Sequence, residues 1–307
     1  MHNAQAQATH NEQDAWSEWI LHHRNADDPI FGEIVRAEIE RHADRVLDGA
    51  HLRSGMTLVD IGSGDGLVAF RAFERIGSAL NVILVDISQP LLRHAEAIAT
   101  ERGLRAQCEF VHCMSAQDVS IDNASVDALT SRAALAYMPD KPAALREFHR
   151  VLKSGGRLSI AEPVFQDEAF AARALRQVAM SQPPDVGESF LNLLHRWKAA
   201  QFPDTAEKMA DSPICNFSER DLLRMVQEAG FSEIHLELHI DVRPSIMTTW
   251  ETFIGISPHP WAPTLKTILA QQFSAEERAL FEQALRPLVD SRQAMTTDRV
   301  VYLTAKK

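Results

Sequence analysis

The sequence predicts an α/β protein. Its core is a doubly wound, mostly parallel sheet, joined by N-terminal helices and two helical insertions that form a cap. Three observations carry this. Short apolar runs alternate with amphipathic helical stretches from Gly55 to Glu162, the pattern of strand–helix–strand units. The first run, Thr57 to Ile61, breaks into glycines at alternate positions, Gly62, Gly64 and Gly66, and a helical pattern starts at Leu67. The alternation then stops twice, at about 163–216 and 244–297, before a last strand closes the chain.

Each element has its own signal. Met1 to about Gln13 is polar and expected to be disordered. Trp16, Trp19 and Ile20 share a face of a first helix, and Phe31, Ile34, Val35, Ile39, Val46 and Leu47 mark a second after Asp27-Asp28-Pro29. Residues 1–54 are therefore assigned to a disordered tip and a helical lid, and 55–307 to the main domain. Leu67, Val68, Phe70, Phe73 and Ile76 form the apolar stripe of the helix that ends at Gly77. Asn81 to Val85 is an apolar strand ending at Asp86, and Ser88 and Pro90 open the next helix. Gln107–Cys113 and Val126–Thr130 are strands, Pro142–Leu152 is a helix stopped by Lys153-Ser154-Gly155-Gly156, and Arg157–Ala161 is a fifth strand. The first insertion is mostly helical, with breaks at Pro183-Pro184 and Pro203. Ser218 caps a helix over Asp221–Ala229, Ile234–Val242 alternates as a strand, and Arg299–Thr304 is the last, expected to pair antiparallel with it.

The glycine loop delivers a ligand to a helix N-terminus. A dinucleotide fingerprint needs glycine at the sixth position, where this chain has Leu67. Asp60 and Asp65 flank the loop, and no Lys or Arg follows until Arg71. Two carboxylates would repel a pyrophosphate and suit a ligand with an ammonium or sulfonium group. Asp60 followed by G-x-G-x-G resembles motif I of the class I S-adenosylmethionine-dependent methyltransferases. The stretch from Glu147 through Gly155-Gly156 to Leu158 is similar to the helix, Gly-Gly turn and fifth strand of that family.

The resemblance implies the class I fold, S-adenosyl-L-methionine as cofactor, and a set of positions that hold it. Gly62, Gly64 and Gly66 would let the backbone approach the methionine part, with Asp60 near its amino group. Asp86 would accept from the ribose hydroxyls, although it could instead cap the following helix. Ile87 would pack on the adenine. Ser115 and Ala116 stand where the family often has Asp-Ala, with Asp118 as a nearby acid able to compensate. Arg132 would pair with the cofactor carboxylate, with an anionic substrate, or in a structural ion pair. Asp65 is expected to be a solvated turn residue. The leading function is methyl transfer to a small-molecule acceptor, an apolar or aromatic secondary metabolite. The alternatives are a non-methylating protein of this fold that binds the cofactor and, less favoured by Leu67 and the acidic loop, a nicotinamide-dependent oxidoreductase.

Composition narrows the partners. A net charge of −11 disfavours nucleic acid, whose binding rests on Lys and Arg. No segment is apolar and long enough to span a bilayer. Cys108, Cys113 and Cys215 form no metal-spaced cluster, and together with the absence of a signal-peptide pattern they suit a cytoplasmic protein. The insertions could also build a homodimer interface.

For the methyl acceptor the candidates are Tyr137 after the fourth strand, Glu162 after the fifth, and His195 in the first insertion. All five tryptophans, Trp16, Trp19, Trp197, Trp250 and Trp261, lie outside the Gly55–Glu162 block. Either they fill the core of a helical cap, or they line an enclosed pocket.

Overall fold

The computed structural model describes residues 14–117, 119–181, 189–247 and 249–307. The N-terminal tip to Gln13, Asp118 and the Pro183-Pro184 break lie outside the described residues. The chain opens with α1 (Ala15–Glu18), a π-turn (Trp19–His23) and α2 (Pro29–Ala50). Alternation follows: β1 (Thr57–Ile61), α3 (Leu67–Ile76), β2 (Asn81–Asp86), α4 (Gln89–Glu101), β3 (Cys108–His112), β4 (Val126–Arg132), α5 (Lys141–Val151) and β5 (Leu152–Pro163). The first insertion holds α6 (Gln166–Met180), α7 (Phe190–Gln201) and α8 (Ala206–Asp211). Then come α9 (Glu219–Glu228), β6 (Ser232–Pro244), and a second insertion of α10 (Trp250–Gly255), α11 (Leu265–Gln272) and α12 (Ala275–Asp290), before β7 (Met295–Lys306).

The seven strands form one sheet in the order β3-β2-β1-β4-β5-β7-β6. β7 runs antiparallel to both of its neighbours, and the other pairings are parallel. Helices cover both faces, which is why the central strands carry apolar residues on both sides. Leu58 packs on one face with Ala43 and Leu47 of α2, Val68 and Phe73 of α3, and Leu92 of α4. Val59 and Ile61 point to the other, against Leu145 and Phe148 of α5 and Leu222 and Val226 of α9. The helices start where side-chain caps satisfy their free N–H groups. Ser88 accepts from Leu91 N, and Ser218 and Asp221 form a capping box.

The fifth strand departs from expectation. It begins at Leu152, which pairs with Val126, and the register shifts before Ala128 meets Arg157. Lys153–Gly156 is thus an irregularity within a strand, with Gly155 at φ 76° and its N–H donating to the Lys307 carbonyl. The two insertions share one apolar core: Leu193 of α7 packs with Trp250, Leu265, Ile268, Phe281 and Val289. They build one cap over the carboxyl ends of the strands.

Helix α2 lies on the sheet at Gly49, where an added Cβ would stand 2.5 Å from both Ser159 Oγ and Thr304 Cγ2. Ser159 Oγ is held by its bond to the Val46 carbonyl, 2.7 Å away. Gly49→Ala adds about 1 kcal/mol of helix propensity against roughly 1–3 kcal/mol of overpacking. We expect the clash to win and the melting temperature to fall by a few degrees. An unchanged or higher value would show that the helix shifts freely.

Candidate functional site

The chain runs outward from β1 in both directions across the sheet, so the carboxyl ends of β1 and β4 form a switch point where α/β proteins bind ligands. A cavity of about 880 Å³ opens there. Its floor is the loop after β1. Gly62 and Gly64 have φ of 67° and 56°, a left-handed backbone that glycine adopts without strain. A Cβ at Gly62 would collide with Ala134. The N–H groups of Gly62 and Ser63 both donate to the Val85 carbonyl, tying the loop to β2.

Asp86 clamps this floor. One carboxylate oxygen accepts from Gly64 N and the other from Ser88 N, each at 2.8 Å. Burial pushes its pKa up, while these N–H groups hold it down. It joins the loop and faces the cavity at once, so the capping and ligand-facing readings of Asp86 are compatible. Asp60 is fully buried at the end of β1. One oxygen accepts from Thr130 Oγ1 at 2.8 Å, and the other has no partner among the described residues. Burial pushes its pKa up to about 7, against the Thr130 hydroxyl and the Arg132 charge, with Asp86 and Asp65 adding to the rise.

The lid supplies what the sequence did not reveal. The π-turn carries Ile20 and Arg24 back over the glycine loop, and Ile20 Cδ1 lies 3.6 Å from where a Gly64 Cβ would be. Arg24 Nε is buried without a partner among the described residues, and the guanidinium lies in the fields of Asp65 and Arg132, with burial the main influence lowering its pKa. Asp65 is therefore half-buried in the cavity wall and not a solvated turn residue; the lid shields it from water. Arg132 also lines the cavity and has no ion-pair partner among the described residues. No motif marks Arg24, because its place depends on how the lid folds back. His42 of α2 also lines the cavity, hydrogen-bonded through Nδ1 to the Tyr302 hydroxyl, with its pKa lowered chiefly by burial.

Ile87, half-exposed, and Ser115 and Ala116 line the rim beside β2 and β3. Cys113 lines it too, half-buried, with its thiol donating to the Ser115 carbonyl. The far wall is aromatic: Trp16, Trp19, Phe165, Trp197, Phe202 and Phe253. Tyr137 sits between Trp16 and Trp261, edge-on to both, at centroid distances of 4.9 and 5.4 Å. Trp250 is 5% exposed and belongs to the cap core. The two readings of the tryptophans thus apply to different residues.

Of the three expected acceptor-site residues, only Tyr137 reaches the cavity. Burial, reinforced by the Glu162 charge, pushes its hydroxyl well above the usual range. Glu162 does not line the cavity. Its fully buried carboxylate accepts from the N–H groups of Leu135 and Ala136, at 3.1 and 2.9 Å, and more weakly from Ala134 and Ser131. It holds the loop between Arg132 and Tyr137. His195 turns away as well, with Nε2 3.0 Å from Asp204, because Trp197, Lys198 and Gln201 take the cavity face of α7.

These residues fit a ligand that carries both charges. The orphaned Asp60 oxygen calls for a cationic donor, the two arginines for an anion, and the Asp86 carboxylate for hydroxyl donors. The comparisons agree. Residues 52–230 match the methyltransferase-domain family. The chain is 33% identical over 201 residues to nocamycin O-methyltransferase of Saccharothrix syringae, covering 65% of this chain and 67% of that protein. It is 28% identical over 198 residues to the ubiquinone/menaquinone biosynthesis C-methyltransferase of Xanthomonas axonopodis pv. citri, covering 61% and 70%. The YcgJ protein of Bacillus subtilis shares the fold, with a TM-score of 0.55 at 18% identity over 87% of this chain and 98% of that one. With the family matched across the glycine loop, the Asp86 clamp and the Gly-Gly strand, this chain belongs to the class I methyltransferases and is an S-adenosylmethionine-dependent enzyme.

Proposed function

We propose that this methyltransferase acts on a small, largely apolar acceptor that carries oxygen and is enclosed beneath the cap. The observation that carries this reading is the continuity of one cavity from the glycine loop to the aromatic wall of Trp16, Trp19, Trp197 and Phe253. Its volume lies at the upper end of ligand pockets, about 300–1,000 Å³, which leaves room for an acceptor beside the cofactor. Trp197 Nε1 is a buried N–H with no partner among the described residues. Leaving such a donor unmade costs about 1–3 kcal/mol, so an oxygen on the ligand would be favoured there. The names of the two relatives divide between oxygen and carbon as the methylated atom.

S-adenosylmethionine, when bound, supplies a methyl group on a sulfonium. In this reading Asp86 receives the ribose hydroxyls, the free Asp60 oxygen the ammonium, and Arg132 with Arg24 the carboxylate. Ile87, Ser115 and Ala116 border the adenine. The cap and lid exclude water and fix the acceptor, which supplies most of the rate. Tyr137 stays protonated at neutral pH, because its pKa is raised. It serves as a wall and hydroxyl donor, not as a base. His42 stays neutral, because its pKa is lowered. Its Nε2 makes no hydrogen bond among the described residues, so we assign it to receive a proton from an oxygen acceptor.

Calorimetric titration with S-adenosylmethionine and S-adenosylhomocysteine tests the cofactor half. Asp86→Ala removes charged hydrogen bonds worth about 1.5–3 kcal/mol each and should weaken both ligands at least tenfold. Unchanged affinity would move the ribose elsewhere.

Binding should also depend on pH. Because the Asp60 pKa is raised to about 7, its charge is present at pH 8 and largely lost at pH 6. The Kd for S-adenosylmethionine should rise about tenfold across that interval, and Asp60→Asn should flatten the dependence. The same raised pKa makes ionisation of Asp60 a cost to the ligand-free fold, whose stability should fall as pH rises through 7. A flat Kd in the wild type would remove the ammonium from Asp60.

Two tryptophans separate pocket from core. Trp197→Ala should raise KM for the acceptor that a metabolite screen returns, whereas Trp250→Ala should cost about 3–5 kcal/mol of stability and leave KM near its original value. If both variants only lowered the melting temperature, the enclosed aromatic pocket would be the wrong reading.

A further inference from the structure

The sheet ends in an unusual edge. β6 is 13 residues long, has no proline before Pro244, and lies at the end of the strand order. Among the described residues nothing pairs with its outer side. Natural edges of this length are shortened, bulged or blocked with inward charges, because their free N–H and C=O groups template another strand. Here the only register shift lies at the start, between Ser232 and His235. Beyond it the edge is regular and apolar on one face: Leu238, Ile240 and Val242 are 37%, 53% and 63% exposed. The other face, toward α2, carries His235, Glu237, His239 and Asp241 in succession.

We propose that β6 pairs antiparallel with β6 of a second copy of this chain, about a two-fold axis at Leu238, extending the sheet across a dimer. The sequence of the edge selects the occupant and the register. Centred on Leu238, each Glu237 faces a partner His239, each His235 faces a partner Asp241, and each Leu236 faces a partner Ile240. Leu238 meets its own mate. All four ionisable residues between 235 and 241 then have a complementary neighbour, and all the apolar ones an apolar neighbour. Moving the axis to Glu237 sets Glu237 against itself and His235 against His239. Moving it to His239 sets Glu237 against Asp241. Moving it to Leu236 centres the pairing beside the register shift, and moving it to Ile240 carries His235 past the end of the strand onto Ser245 and sets Glu237 against Arg243, which is already bonded to Asp298 and Glu38. The Leu238 register pairs the stretch from His235 to Asp241 with no like charges opposed, and sets Val242 to Pro244 against the irregular start of the strand.

The protomer's own charges agree. Within the hairpin Asp241 stands opposite Asp298, a like-charge pair that costs stability. Arg243, the neighbouring cation, donates to Asp298 and Glu38, and Asp241 forms no ion pair among the described residues. The partner's His235 would supply the missing neighbour. Glu237 already gathers Arg45, His235 and His239 around it, so the central part of the edge presents a compact acid flanked by donors. The pairing is isologous and closes at two copies.

A cysteine scan tests both the dimer and its register. In an antiparallel pair facing Cα atoms are about 4.5–5.5 Å apart, within disulfide reach. Leu238→Cys should therefore give a disulfide-linked dimer under mild oxidation. Ile240→Cys places the two thiols four positions apart along the strands, about 13 Å, and should not. The wild type, with Cys113 partly exposed, is the background control. In parallel, light scattering of the wild type at tens of micromolar should show a dimer. Asp241→Lys should weaken it at least tenfold, and the double variant Asp241→Lys/His235→Glu should restore it. A wild type that is monomeric throughout, equal cross-linking of the two cysteine variants, or no rescue by the double variant would each overturn the proposal.

Discussion

One buried carboxylate sets the geometry of the whole ligand end. Asp86 bridges Gly64 N and Ser88 N, and so fixes the turn after β1 to the start of the helix after β2. Each contact needs the other elements in place. The loop must take left-handed angles at Gly62 and Gly64, and β1 and β2 must be parallel neighbours in register, Ile61 beside Val85. The cap on Ser88 must start α4 where it does. A carboxylate accepting two backbone N–H groups is worth more than a neutral bridge, and here it also keeps lone pairs on the cavity side.

Around that bridge the charges are deliberately incomplete. Asp60 has one satisfied and one unsatisfied oxygen, Arg24 a buried Nε without a partner, and Arg132 no counter-ion among the described residues. Unpaired buried groups each cost free energy. In the proposed reading, a zwitterionic ligand that bridges these groups would recover that cost on binding. Glu162 works by the opposite logic. It is buried as deeply, yet its oxygens are surrounded by Leu135, Ala136, Ala134 and Ser131 donors, so it stabilises a loop and asks for nothing from a ligand.

This difference explains what the sequence could and could not disclose. Asp60, Asp86 and the glycines follow strand ends at fixed spacing, and the parallel sheet converts that spacing into place. The alternation of apolar runs likewise disclosed the sheet and its antiparallel end. Glu162 also follows a strand end, but whether its oxygens meet solvent, ligand or backbone depends on the loop from Ala133, whose φ of 52° turns the chain back over it. His195 and Trp197 are two residues apart on one helix, and only the packing of α7 on α6 and the second insertion decides which faces the cavity. Arg24 and the half-burial of Asp65 depend on the lid, and the shared core of the two insertions on contacts between residues far apart in sequence. Periodicity is local, and these are not local facts.

The three segments that cover the cavity are attached with unequal strength. The second insertion grows from a β-ladder that runs to Pro244 and Met295 and is closed by Ser245 N donating to the Ala294 carbonyl at 2.7 Å. The first insertion shares its apolar core with the second, so lifting α7 would expose Leu193 and the face of Phe281. At roughly 25 cal/mol per Å² of apolar surface that is a cost of several kcal/mol. The N-terminal lid is joined differently. Trp19 Nε1 donates to Ser257 Oγ at 3.1 Å, Thr252 Oγ1 donates to Asp28 at 2.6 Å, and Trp16 rests on Tyr137 and Trp261. Ala26 and Asp27, both left-handed at φ 51° and 53°, form the turn behind it, a conformation that costs about 1–3 kcal/mol at a non-glycine residue. Among the described residues, opening the lid breaks these two side-chain hydrogen bonds and separates one aromatic cluster. The cavity is therefore cheapest to expose at the lid, and the segment that covers the glycine loop with Ile20 and Arg24 is the one whose closure the bound ligand itself would reinforce.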